Sequence, residues 1–135
     1  MPALPWTTTS RPPDPNTECT VLAAKLPLRS HRDLPRLAYW TLRIQHQLGR
    51  APGLIGYAVA PEILDKTLWT VSAWRRRTDL AGFDRSGAHQ TAKRLLRTAM
   101  LPSTLVVWDC PAHQLPVSWD EVRHRIAMAG PHRVT

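Results

Sequence analysis

Cysteine is scarce in this 135-residue chain, and lysine nearly so. Two cysteines, Cys19 and Cys110, cannot build a disulfide framework or a four-ligand zinc site. No run of about eighteen apolar residues occurs, which excludes a membrane-spanning helix. The first residues, MPALPWTTTSRPPDPN, lack the basic start and apolar stretch of a secretory signal. Together these absences predict a cytoplasmic protein. A glycine-rich phosphate loop, a GxSxG elbow and a Walker motif are all missing. His46, His113, His124 and His132 show neither HxH nor HExxH spacing, so no metal site is expected.

What is present fits one folded domain. The length allows a single core and not two. Apolar residues make up 43% and charged residues 21%, close to globular norms, so most of the chain should fold. The net charge is +8, and fifteen of the eighteen basic residues are arginine. That excess is spread along the chain rather than gathered in one run, which reads as composition bias more than a nucleic-acid footprint. Arg75 to Arg77 and the set Lys93, Arg94 and Arg97 read as solvated faces, with a carboxylate or phosphate clamp as their functional version.

Residues 1–16 hold five prolines without periodicity and read as an extended arm, disordered or laid over a neighbour. The single domain is expected over residues 17–129, with a loose tail from 130 to 135. The first strand is expected from Glu18 to Leu28. Leu34, Leu37, Thr41, Ile44 and Leu48 then recur at helical spacing, with Ser30 or Asp33 as cap and Gly49 as stop. GLIGYAVA and TLWTVSAWR read as a hairpin around a turn at 61–66. A helix from Asp79 to Phe83 is interrupted at Ser86-Gly87 and resumes from Ala88 to Leu101. STLVVWDC is a further strand, and Ser118 with Glu121 forms a capping box for a last helix ending near Met128.

The order β-α-β-β-α-β plus a C-terminal helix is the α+β, ferredoxin-like order. Alternation puts Trp69, Val71 and Ala73 on one side of the third strand and Leu68, Thr70, Ser72 and Trp74 on the other. In the fourth, Leu105 and Val107 oppose Val106, Trp108 and Cys110. Two long helices cover one side only, so the expectation is a second copy packed against the other. Cys19 and Cys110 fall at the same end of neighbouring strands; a cross-strand contact and two unlinked thiols are the alternatives.

The hairpin GLIGYAVA…TLWTVSAW, the following DLAGFDRSGAH and the closing PVSWDEVRHRI resemble the antibiotic biosynthesis monooxygenase-like proteins of the dimeric α+β barrel superfamily. The resemblance is greatest to the branch near spheroidene monooxygenase, through Trp74, Phe83, Ser86-Gly87 and His89. It implies a homodimer whose sheets pack into a barrel, with a pocket between helices and sheet in each copy. It also implies a flat aromatic or polycyclic ligand, and oxygenation or cyclisation in secondary metabolism. No cofactor is implied, since such relatives use the substrate's own carbanion to reduce O₂; haem binding is the alternative. One departure stands out: many small members carry a histidine about nine residues after the strand-ending Trp, and that place is Phe83 here.

On this reading His89 is the catalytic acid-base candidate, an imidazole suited to proton transfer near neutral pH or to haem ligation. Its ordinary alternative is a cap or a hydrogen-bonded core histidine. Trp74, Phe83, Tyr57, Trp108 and Trp40 are the candidate ligand walls, each alternatively plain core. Asp109 either orients a base or pairs with a nearby arginine. An RNA-binding module shares the element order, but TLWTVSAW lacks the glycine and the Phe/Tyr pair of an RNP1 strand.

Overall fold

The computed structural model describes residues 6–8, 13–48, 52–84, 90–91, 93–94, 97 and 100–129, with backbone alone at 38, 41–42, 45–48 and 84. Five antiparallel strands form one sheet: β1 (Thr7–Thr8), β2 (Glu18–Pro27), β3 (Leu54–Glu62), β4 (Thr67–Trp74) and β5 (Thr104–Pro111), in the spatial order β1-β3-β4-β2-β5. Among the described residues three α-helices accompany them: α1 (Leu34–Leu48), α2 (Arg77–Asp84) and α3 (Trp119–Ala129). Gln90, Thr91, Lys93 and Arg94 also have helical backbone. The α+β, ferredoxin-like architecture is therefore as expected. Among the described residues no helix is long and apolar enough to cross a membrane.

Local chemistry explains the boundaries. Ser30 accepts a bond from the Arg32 backbone N–H at 3.2 Å, which starts the 3-10 turn His31–Asp33 that leads into α1. Ser118 Oγ likewise accepts from the Glu121 N–H at 3.2 Å and opens α3. The Glu121 carboxylate takes a bond from Arg125 Nε at 3.1 Å, one turn along the helix. Pro61 lies inside β3 rather than in the turn, because among the described residues β1 pairs with Gly56 and Tyr57 alone and demands no N–H there. The interruption expected at Ser86-Gly87 lies outside the described residues.

The arm contributes what its composition did not suggest. Thr7 and Thr8 pair with Tyr57 and Gly56, adding a fifth strand to the expected four. The register slips between Leu54 and Gly56, leaving Ile55 as the extra residue of a bulge. Ile55 and Gly56 consequently face the same side, where a Cβ on Gly56 would overlap the Trp6 indole.

The sheet's two sides are covered differently. On one side Leu37, Trp40 and Ile44 of α1 and Leu80 and Phe83 of α2 meet Leu28, Leu54, Val59, Leu68 and Trp74. On the other, Val117, Val122 and Ile126 close over Cys19, Val21, Ala23, Trp69, Val71 and Trp108, with Trp6 packed at the margin. The expectation that this tryptophan-bearing side lies bare is corrected here. The C-terminal helix of the same chain covers it, leaving Trp69 and Trp108 only 8% exposed. An uncovered apolar face therefore no longer argues for a second copy.

Candidate functional site

Trp74 ends β4 opposite Leu54, on the α1/α2 side, and is 1% exposed. Its Nε1 donates to Ser72 Oγ at 2.9 Å, two residues back on the same side of the strand. The ring is thus oriented and its polar atom satisfied, as a buried indole requires. Phe83 of α2 meets it with ring centroids 5.4 Å apart and planes tilted by 36°. Tyr57, Ile44 and Leu80 pack on the same cluster.

The backbone around this corner is tightly tied. Gly53 has φ of +81°, a conformation glycine adopts without steric cost, and its carbonyl accepts from the Arg75 N–H at 2.8 Å. The Asp79 side chain lies where a Gly53 Cβ would be. The same carboxylate sits in the first turn of α2, where the helix dipole favours negative charge. The start of β3, the end of β4 and α2 are held together at one point. That arrangement gathers Trp74, Phe83 and Tyr57 in one cluster on the α1/α2 side.

The remaining candidates sit elsewhere. Trp40 belongs to the neighbouring cluster with Leu28, Leu37, Val59 and Leu68, toward the opposite end of the sheet. Tyr39 meets it edge-on at 5.5 Å, and the Arg43 guanidinium lies 5.5 Å from its ring centroid. Trp108 is on the α3 side, beneath the Arg125 guanidinium at 4.2 Å. A sheet is a single layer whose side chains alternate, so Trp108 cannot touch a molecule held by Trp74. His89 lies outside the described residues. Asp109 accepts from Thr20 Oγ1 at 3.0 Å and pairs with Arg77 at 3.3 Å, the ordinary arginine partnership.

Cys19 and Cys110 stand directly opposite each other across β2 and β5, both buried and both free. Burial pushes both thiols above their ordinary range; Arg75 pulls Cys19 back, and the neighbouring Cys19 raises Cys110 further. Neither is poised as a nucleophile, since the thiolate is the reactive form.

No protein-family model matches the chain, and no curated protein matches it. Solved structures do. A Nitrosomonas europaea protein described as a "putative antibiotic biosynthesis monooxygenase" superposes with a TM-score of 0.64 at 15% identity, covering 74% of this chain and 94% of the other. The fold is that of the antibiotic biosynthesis monooxygenase structures. A second structure, described as "antibiotic biosynthesis monooxygenase", gives 0.62 at 12% identity over 67% of this chain and 97% of the other. A Caulobacter crescentus protein described like the first gives 0.59 at 10% identity, over 71% and 91%. At such identities the antibiotic biosynthesis monooxygenase fold is a scaffold on which chemistry must be argued from side chains.

Proposed function

We propose that the chain is a monooxygenase-like protein that binds a flat aromatic or polycyclic molecule against Phe83 and Tyr57, with the buried Trp74 ring packed behind them. The observation that carries this reading is the tilted Trp74–Phe83 pair with Tyr57 on the same cluster, between sheet and helices. Aromatic faces give a planar ligand large contact area at low entropic cost. The fold of the antibiotic biosynthesis monooxygenase structures supports it, as does the resemblance that Trp74, Phe83 and His89 bear to the spheroidene monooxygenase branch.

In the chemistry proposed, His89 takes an acidic C–H or O–H proton from a phenolic substrate. The resulting anion reduces O₂; one oxygen atom enters the substrate and the other leaves as water. The protein's work is deprotonation and exclusion of water from the anion. A second copy of the chain is the partner this reading carries, on the resemblance alone.

The test uses the purified full chain with anthrone-type substrates under oxygen. Quinone absorbance and O₂ uptake should appear together, and His89→Ala should lower the rate by about 10²–10⁴. Absence of both turnover and tight binding of any polycyclic phenol would remove the proposal. A Soret band on adding haemin, lost in His89→Ala, would replace it with the haem reading. Sedimentation at micromolar concentration tests the pairing; a mass of one chain removes it.

A further inference from the structure

The α3 side of the sheet carries a cavity independent of the aromatic corner. Strand registers define its floor. Thr104, Lys25 and Trp69 lie in one row across β5, β2 and β4, and Pro27, Thr67 and Glu62 lie in the next row across β2, β4 and β3. Ile126 and Ala127 of α3 and Pro102 complete a space of about 510 Å³, within the range that holds small organic ligands.

The same side is apolar at its other end, with Cys19, Val21, Ala23, Val71 and Ala73. Along β2, β3, β4 and β5, polar residues replace the apolar pattern in these two rows. A strand that continues its inward alternation with Lys25, Thr67, Glu62 and Thr104 is building something other than core.

The lining holds one ammonium, Lys25, and two carboxylates, Glu62 and Asp65. The Glu62 carboxylate is occupied by Arg123 Nη2 at 2.6 Å. Lys25 places its ammonium 5.3 Å from the Trp69 ring centroid and, among the described residues, makes no ion pair. Trp69 is 8% exposed, and its Nε1 is, among the described residues, the one buried side-chain polar atom without a hydrogen-bond partner. A buried donor without an acceptor is costly and calls for explanation. Asp65 borders the cavity from an exposed turn, where water screens it.

We propose that this cavity binds a small organic carboxylate. Its anionic oxygens meet Lys25 Nζ and the Trp69 indole N–H, and its flat apolar body lies on Pro27, Pro102 and Ile126. The net charge of +8 raises the local concentration of such anions.

The probes are 2-naphthoate and its neutral isostere 2-naphthamide, followed by the indole N–H resonances of the ¹⁵N-labelled full chain. The Trp69 signal is assigned by its loss in Trp69→Phe. Naphthoate should shift that signal saturably, and naphthamide should bind about tenfold or more weakly, the value of one charge-assisted contact. Lys25→Gln should weaken naphthoate by a similar factor, and Phe83→Ala should not, which separates this site from the aromatic corner. Two results overturn the proposal: no saturable shift at millimolar naphthoate, or equal affinity for acid and amide. The acid-amide comparison needs no variant, so it stands even if Lys25→Gln folds poorly.

Discussion

The Trp6 indole occupies the space that a side chain on Gly56 would need. The glycine at the β3 bulge and the tryptophan of the arm are two halves of one contact. Gly56→Ala should therefore expel or displace the arm, with a loss of about 1–3 kcal/mol, the usual cost of overpacking. In a Trp6→Ala background the same substitution should cost less than half as much, because the clash is gone. Urea unfolding of the four proteins measures the coupling. Strictly additive losses would mean the arm does not sit on β3 in solution.

Trp74 provides a second test, of structural weight. It is fully buried, hydrogen-bonded through Nε1 and in contact with Phe83. Trp74→Ala should cost about 3–5 kcal/mol, the range for removing a large buried aromatic group. Trp74→Phe should recover part of that loss, lacking the Ser72 bond, worth about 1 kcal/mol, and the packing of the second ring. If Trp74→Ala costs less than about 1 kcal/mol, the ring borders an open space and is not packed against its neighbours.

The buried cysteines predict a pH dependence with a definite sign. Both thiols are held above the ordinary thiol range, chiefly by burial. The folded state therefore binds protons that the unfolded chain releases first. Their contribution to stability is complete below pH 9 and declines as pH rises from there through the folded-state values. Iodoacetamide should label neither residue appreciably at neutral pH under native conditions, and both rapidly in urea. Fast native labelling at pH 7.5, counted by mass spectrometry, contradicts the burial.

Much of this architecture was legible because it rests on periodicity. The helix at Leu34–Leu48, the strands and the alternation that separates Trp69 from Trp74 follow from spacing alone. So did the caps at Ser30 and Ser118. Two features were hidden. The pairing of Thr7–Thr8 with β3 is a long-range contact with no local signal in a proline-rich segment. The packing of α3 over the Trp69 side depends on which of two apolar surfaces a short amphipathic helix finds, and spacing cannot choose between them. Lys25 and Glu62 line the cavity on the α3 side, and their inward place in strand alternation was a readable signal of it. The aromatic candidates divided because composition counts tryptophans without assigning sides: Trp108 and Trp74 lie on opposite faces.

The contact between Thr20 and Asp109 should matter more than the neighbouring ion pair. Thr20 is buried and its hydroxyl donates to Asp109 Oδ1 at 3.0 Å. Arg77 and Asp109 pair at 3.3 Å with side chains 59% and 48% exposed, where water and salt weaken the attraction. Thr20→Val should cost about 1 kcal/mol, and Arg77→Ala no more than about 0.5 kcal/mol, shrinking further in high salt. Chemical denaturation in urea at low and high salt distinguishes the two. A reversed order would assign Asp109 a role in holding Arg77.

Val122 tests the placement of α3 itself. Its side chain is fully buried in the apolar cluster on the Trp69 and Trp108 side. Val122→Asp would bury an unpaired charge, so α3 should instead detach and leave that face open to water. A loss of more than about 3 kcal/mol is expected, with a red shift of tryptophan emission and easier acrylamide quenching. The newly bared apolar surface should also drive association, seen as a concentration-dependent sedimentation coefficient. A competing arrangement makes the opposite forecast. If a second copy covers this face in solution and α3 lies outside, Val122→Asp falls on an exposed helix. Stability and emission then stay within experimental error of the parent chain. The substitution thus separates a face sealed by the chain's own helix from one sealed by its twin.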